Sequence, residues 1–490
     1  MKAILVWFDS LSRNALGPYG AVGAHTPNFD RLAAGGVTFD KHYVGSMPCI
    51  PARRELHTGR YNFLHRGWGP LEPFDDSMPA LLSRHGVYTH LVSDHYHYWE
   101  DGGCTYHNRY NSWECVRGQE GDPWKGEVTD PELPSPALGC VQRQDLVNRR
   151  YLRGEAGATQ TRTFDRALEF LETNAAADQW MLQVECFDPH PPFFVPEKYR
   201  RLHEPQTYDG PWFDWPPYAP VAGDMSEEAI RHCRALYAAL VSMCDHSLGR
   251  IMAAMDRHKL WDDTLLIVTT DHGFLLAEHG WWAFVKPPFY DTVARKPLWI
   301  WDPRIRQRGT RNDALTQTHD VPPTLLEYFG VQRPPDMQGI PLAQTLITGK
   351  SPREAALFGV FGGHVNCSDG RHVYMRAPVR PENDPLYHYT LMPTHMRGFF
   401  SRQEMEQATL ARPFSFSKNM PLLRIPGRAM MADSHRDGHL LYDLVSDPEQ
   451  RKPLHDERLE KRMRGHLIRL MHENDAPPEQ FERLGLAKRV

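Results

Sequence analysis

The sequence contains no run approaching the roughly 20 consecutive apolar residues that a bilayer-spanning helix needs, so no membrane-spanning segment is predicted. It has no basic field either. The net charge is −5 and the isoelectric point lies near 6.6, which sets nucleic acid aside as a partner. Its eight cysteines, at positions 49, 104, 115, 140, 186, 233, 244 and 367, include no C-x-x-C pair and no zinc-ligand spacing, in agreement with a reducing compartment. The opening residues, Met-Lys-Ala-Ile-Leu-Val-Trp-Phe-Asp, enter a strand-like run at once, without the charged and extended apolar regions of a secretory leader. A cytoplasmic protein is the expectation. There is no internal repeat and no low-complexity tract. With 41% hydrophobic and 24% charged residues, the composition is that of a globular protein, and 490 residues suggest two domains.

Histidine is plentiful, 26 in all, and it clusters with aspartate behind apolar runs. Residues 3–8 read as a strand buried on both faces and end at Asp9. Three later runs repeat the design. Residues 87–93 lead into Asp94-His95-Tyr96-His97, residues 180–187 into Asp188-Pro189-His190, and residues 264–270 into Asp271-His272-Gly273. Ligands of open α/β sheets gather at the carboxyl ends of the strands, so four such ends on one parallel sheet would converge on one site.

The stretch that organises the chain is 45–60, Gly-Ser-Met-Pro-Cys-Ile-Pro-Ala-Arg-Arg-Glu-Leu-His-Thr-Gly-Arg. Proline suits the first turn of a helix, so Pro51 is predicted to open one with Cys49 at its lip. There a side chain faces unpaired N–H groups and the positive end of the helix dipole, and Arg53 follows one turn on. That place favours a nucleophile or an anion. A buried structural cysteine is the plain alternative.

Between the last two strand ends, a helix is predicted from about Ser226 to Lys259, with Ser226 as N-cap and Leu236, Leu240, Met243, Leu248 and Ile251 as core. Segments 103–160 and 200–223 read as long excursions walling the site. Near 340–355 the pattern changes to short alternating runs, 371–376 and 439–444, and then a helix from about Glu457 to Glu473. The predicted fold is α/β, a large mostly parallel sheet flanked by helices (residues 1–350), with a smaller C-terminal α+β domain (351–490) containing an antiparallel sheet.

Cys49-x-Pro51-x-Arg53 followed by Thr58-Gly59-Arg60 resembles the signature of the type I sulfatases of the alkaline phosphatase superfamily. Thr26-Pro27-Asn28, Thr270-Asp271-His272-Gly273, Glu278-His279-Gly280 and Lys286 are similar to further landmarks in the same order. Ala52 and His57 depart from the commonest signature. Asp9 is followed by Ser10 where relatives often carry a second acid. Where many relatives have Lys-x-His, this chain has His95 near the lysine's place and His97 as the replacement for the histidine.

The resemblance implies that Cys49 is oxidised to formylglycine by a formylglycine-generating enzyme, and that the hydrated aldehyde attacks the ester. The alcohol then leaves, and the hemiacetal sulfate collapses to expel sulfate. It implies one divalent metal held by Asp9, Asp271, His272 and the oxygen derived from Cys49. Hard ligands favour Ca²⁺, Mg²⁺ or Mn²⁺, and among these the resemblance implies Ca²⁺ first, with Mn²⁺ next. Arg53 and Lys286 would stabilise the sulfuryl oxygens and His190 would protonate the leaving alcohol, with His95 and His97 binding substrate. Arg60 would hold the Cys49 turn, and Arg54 a structural pairing. The expected partner is a small-molecule or saccharide sulfate ester, and a homo-oligomer is allowed. Two alternatives stand beside this reading: a phosphonate monoester or phosphodiester hydrolase of the same superfamily, and a binding homologue without catalysis.

Overall fold

The computed structural model describes residues 1–204, 208–429 and 433–486; Pro205, in the second predicted excursion, lies outside them. Alternating residues of the first strand, Lys2–Phe8, face opposite ways, as the pleat requires. Ile4, Val6 and Phe8 pack into one apolar cluster with the long helix Glu227–Arg257, through Leu240, Leu248 and Ile251. Ala3, Leu5 and Trp7 pack into another with Leu56, Leu82, Leu325 and Leu326. The strand is thus covered on both faces, which explains its uninterrupted apolar run.

The main sheet has eight strands. In spatial order they are Thr310–Gln317, Val37–Tyr43, Arg295–Trp301, Thr264–Thr270, Lys2–Phe8, Trp180–Cys186, Tyr88–Ser93 and Ser112–Cys115. Arg295–Trp301 runs antiparallel to both neighbours, and the other pairings are parallel. Phe8 stands opposite Cys186 on one side and Thr270 on the other. That register puts Asp9 and Asp271 level with each other, one residue past the sheet.

A second sheet of five strands, Leu440–Asp443, His372–Arg376, Val365–Ser368, Ala356–Val360 and Ser46–Met47, is antiparallel except at its last pair. There Gly359 and Val360 pair with Ser46 and Met47. The C-terminal sheet therefore holds the two residues that lead into Pro48 and Cys49. Helix Glu457–Glu473 covers it with Met463, Leu467 and Met471.

Three readings of the sequence change. The helix of the Cys49 stretch is Cys49–Thr58, beginning two residues before Pro51 and ending at Gly59 in the left-handed conformation. Segment 103–160 is more than an excursion, since Ser112–Cys115 forms the sheet's edge and Arg143–Arg149 a helix. The edge strand is short and half exposed, so it carries no apolar run to announce it. Segment 200–223 begins inside the helix Glu197–His203. No helix among the described residues is long and apolar enough to cross a membrane.

Candidate active site

Asp9, Cys49, Asp271 and His272, all buried, each offer one donor atom, and these atoms lie within 4.8 Å of one another. Strand register delivers the two aspartates, and the N-terminus of helix Cys49–Thr58 delivers the sulfur. Ser10 takes a left-handed φ of 60°, uncommon for a residue with a Cβ and typical of strained functional turns. It thereby donates its N–H to Asp271 Oδ1 (3.0 Å) and its hydroxyl to Asp9 Oδ1 (2.9 Å). Ser10 thus braces both acids, Asp271 through its N–H and Asp9 through its hydroxyl.

Arg53 is wholly buried beneath the cluster. Its Nε donates to Glu185 Oε1 (2.6 Å), Nη1 to Asp271 and to the Cys49 carbonyl (3.1 Å), and Nη2 faces Asp9 Oδ2 at 3.0 Å. One guanidinium therefore answers three buried carboxylates, and its geometry is that of an anchor for the floor. Glu185 was not among the residues predicted from sequence. It also accepts Tyr98 Oη (2.8 Å) and Ser93 Oγ (3.3 Å), and the only signal for it is a lone acid in the run Trp-Met-Leu-Gln-Val-Glu-Cys.

The electrostatics follow from burial. Desolvation, the charge of Asp271 and a hydrogen bond with it push the Asp9 carboxyl well above its ordinary value, and Arg53 only partly offsets them. Burial would raise Asp271 too, but His272 and Arg53 outweigh it and hold that carboxyl low. Burial and then the two aspartates push the Cys49 thiol far up. A cysteine at a helix N-terminus beside an arginine is usually a candidate thiolate; here desolvation and the flanking acids win, and the thiol keeps its proton.

His272 is held neutral chiefly by burial. Its Nδ1–H donates to the Gly273 carbonyl (2.9 Å), which leaves Nε2 as an unprotonated donor atom, 3.8 Å from Cys49 Sγ. Phe284 lies against the ring, with centroids 4.0 Å apart. This backbone contact fixes the tautomer as it does for many metal-ligating histidines. Asp9 Oδ2, buried and without a well-directed hydrogen bond, is a second open donor. Two carboxylates, an imidazole and the Cys49 position fit a hard divalent cation.

Phe284 links His272 to His190, whose ring centroid lies 6.0 Å from its own. His190 donates Nδ1–H to the Pro191 carbonyl (2.6 Å) and accepts from Tyr218 Oη at Nε2 (3.3 Å); burial pushes its pKa down to about 3. His95 is fully buried, kept neutral by burial and the neighbouring Arg53, His97 and His190, and neither ring nitrogen has a partner among the described residues. His97 is bound at Nδ1 by Glu100 (2.6 Å) and stands 5.0 Å from His95, centroid to centroid. Lys286 is half-buried and makes no hydrogen bond or ion pair among the described residues; its charge is felt at the Cys140 thiol. Arg54 and Arg60 share Asp75, at 2.7 and 2.6 Å, and so tie the middle of the Cys49 helix and the residue after its C-terminal glycine to one buried acid.

A further cation, Lys296, was also missed, because a charge at the start of a strand reads as solvated. It is buried, donates to the Thr270 carbonyl and lies 4.7 Å from the Trp7 ring centroid, and burial pushes its pKa down to about 7.

The sulfatase family model matches residues 2–331. An N-acetylglucosamine-6-O-sulfatase of Bacteroides thetaiotaomicron is 25% identical over 484 residues, covering 82% of this chain and 83% of its own. Among solved structures, a phosphonate monoester hydrolase of Agrobacterium radiobacter superposes with a TM-score of 0.67 at 20% identity, over the full length of both chains. A protein in complex with its substrate D-glucosamine-2-N,6-O-disulfate superposes with the same TM-score at 16% identity, over 99% of this chain and 98% of its own. Since the matched region carries the floor cluster and both histidine-bearing strand ends, the chain belongs to the sulfatase family, within the alkaline phosphatase superfamily, and is a sulfuric ester hydrolase.

Proposed function

We propose that the chain hydrolyses sulfate monoesters at a nucleophile generated from Cys49 by a formylglycine-generating enzyme, with a divalent metal, Ca²⁺ first, held by Asp9, Asp271, His272 and the oxygen at position 49. One observation carries this reading: the donor atoms of Asp9, Cys49, Asp271 and His272 converge within 4.8 Å of one another in a buried site, at the N-terminus of the Cys49 helix and inside the region that the sulfatase family model matches. The hydrate of an aldehyde supplies one hydroxyl to attack sulfur and a second to expel sulfate. The metal supplies positive charge for the sulfuryl oxygens and relieves the repulsion between Asp9 and Asp271.

The chain's own residues do the rest. Arg53 fixes both aspartates and the first turn of the Cys49 helix. His95, with two free nitrogens and no water-exposed surface, is placed to donate one N–H to a sulfuryl oxygen, and an unbonded buried imidazole otherwise costs free energy. His190 presents Nε2 and Tyr218 its hydroxyl on the leaving-group side. An anionic ester beside that ring raises its proton affinity, which restores a proton for the departing alcohol. Lys286, half-buried and without an ion pair among the described residues, would add positive charge for the sulfuryl oxygens. The same reading assigns residues 1–350 to catalysis and 351–490 to a subdomain that walls the site.

Steady-state kinetics on protein made with a formylglycine-generating enzyme test the reading. Turnover of 4-nitrophenyl sulfate with kcat/KM well above that for a phenylphosphonate monoester is expected. The reverse order favours phosphonate hydrolysis, the activity named for the Agrobacterium radiobacter neighbour. Sulfuryl and phosphoryl transfer demand similar charge stabilisation, so only this side-by-side measurement separates them.

A further inference from the structure

Above the floor stands a polar wall that the chemistry does not use. Its centre is Glu120, in a turn built to hold it: Asp122 accepts from the Gly118 N–H (2.8 Å) and from Arg117 Nε (2.8 Å), and Asn148 donates to the Asp122 carbonyl (2.7 Å). Glu120 takes a left-handed φ of 49° within this turn, a conformation that non-glycine residues keep only where the surroundings impose it. Its side chain turns inward and is only 8% exposed. Oε2 accepts Tyr96 Oη (2.6 Å) and stands 3.7 Å from His97 Nε2. Oε1 has no hydrogen-bond partner among the described residues.

The wall is closed from the C-terminal region. Arg397 donates Nε to Glu100 Oε1 (2.8 Å) and Nη2 to Tyr96 Oη (2.9 Å). The Gly102 N–H donates to the Met396 carbonyl (3.1 Å), and the two backbones approach so closely there that a Cβ on Gly102 would lie 2.1 Å from the His395 carbonyl oxygen. The wall meets the floor through His97, whose Nε2 lies 3.7 Å from Glu120 Oε2 and whose ring centroid is 5.0 Å from that of His95. Glu120 thus stands beside His97 and, through it, His95, the two histidines assigned above to the substrate.

We propose that Glu120, braced by Tyr96 and Arg397, is the residue that reads the alcohol part of the ester, its free Oε1 accepting a hydrogen bond from a hydroxyl group of a saccharide sulfate. This rests on the sulfatase reading above. A hydroxylated sugar fits better than a cationic alcohol because the wall already holds its own cation: Arg397 pairs with Glu100 and donates to Tyr96 Oη, the same hydroxyl that Glu120 accepts. An added ammonium group would meet Arg397, whereas a hydroxyl needs only an open acceptor. A buried acceptor that loses its donor discriminates strongly between ligands.

The test compares Glu120→Gln with the unaltered enzyme, both made with a formylglycine-generating enzyme, on a panel of hexose and hexosamine monosulfates, choline sulfate and 4-nitrophenyl sulfate. Glutamine keeps the shape and an acceptor for Tyr96 while weakening the site as a charged acceptor. For the best saccharide sulfate, kcat/KM is expected to fall about tenfold or more relative to that for 4-nitrophenyl sulfate, through KM. Arg397→Met is expected to shift the same ratio in the same direction by less. A ratio unchanged within about twofold in Glu120→Gln of unaltered melting temperature overturns the proposal, as does a selective loss on choline sulfate. An unaltered enzyme that turns over 4-nitrophenyl sulfate and none of the saccharide sulfates overturns it while leaving the sulfatase reading intact. Absence of turnover on every sulfate ester, with phosphonate esters hydrolysed, removes both.

Discussion

The floor of the site and its wall are built from the chain in different ways. Floor residues Asp9, Asp271 and Glu185 lie on or just beyond three neighbouring strands in one register, and Arg53 and Cys49 come from the helix that follows the next structural crossing. Wall residues Glu100, Glu120 and Arg397 come from loops, with Glu100 and Arg397 separated by 297 positions. The floor holds its charges by mutual pairing within a dry interior. The wall leaves one acceptor open. The difference separates what the reaction requires from what the substrate selects: a register-bound floor cannot vary without losing the fold, whereas loop residues can.

The largest break in that comparison is at Cys49. Cys49→Ala is expected to lower kcat by about 10⁴-fold or more with the melting temperature little changed, because the nucleophile goes and the packing stays. Metal removal follows. Dialysis against a chelator is expected to cut activity about 100-fold or more, with recovery on adding Ca²⁺, Mn²⁺ or Mg²⁺, and the same addition should raise the melting temperature of chelated protein. Recovery of neither would mean that Asp9, Asp271 and His272 hold no cation.

Glu185→Gln sharpens the role of the anchor. It removes a charge that faces Arg53 at 2.6 Å inside a dry site. A loss of about 3 kcal/mol in stability together with roughly a 10–100-fold fall in kcat is expected, read by denaturant unfolding and steady-state rates. Full activity in this variant would show that Arg53 is positioned by Asp9 and Asp271 alone.

The smallest effect concerns pH, beside the wall. Burial pushes the Asp94 carboxyl up to about 7, and burial with the charge of Asp94 pushes Asp188 up to about 8; Gln119 bridges them, 3.0 Å from Asp188 and 3.5 Å from Asp94. In the unfolded chain both ionise near 4. The native chain therefore keeps protons that the unfolded chain releases, so this contribution is whole below about pH 4 and is lost as pH rises through 7 to 8. The melting temperature is expected to fall between about pH 5 and 8, and Asp188→Asn should flatten that fall. Equal slopes in the two proteins would place the proton elsewhere.

How much of this was legible follows the same division. Asp9 and Asp271 could be read because each ends an apolar strand, and the sheet's order and register then bring them together. The C-terminal antiparallel sheet was legible in the alternation at 371–376 and 439–444, and helix Glu457–Glu473 in its period. That the same sheet also takes in Ser46–Met47 was not, because two residues carry no pattern. Glu185 and Lys296 hide as single charges within or beside apolar runs. Glu120 sits in a segment whose sequence reads as loop, and Arg397 reaches it only through tertiary packing. The positive charge expected of Arg53 toward substrate is committed to three carboxylates, a partnership that no spacing in sequence announces.

The central claim is that position 49 carries an aldehyde in the active protein. Mass spectrometry of the tryptic peptide His42–Arg53, from protein made with a formylglycine-generating enzyme and shown to hydrolyse 4-nitrophenyl sulfate, tests it most directly. The account predicts the aldehyde mass in place of the thiol, in proportion to specific activity across preparations. A fully intact thiol in a preparation that hydrolyses the ester would contradict it.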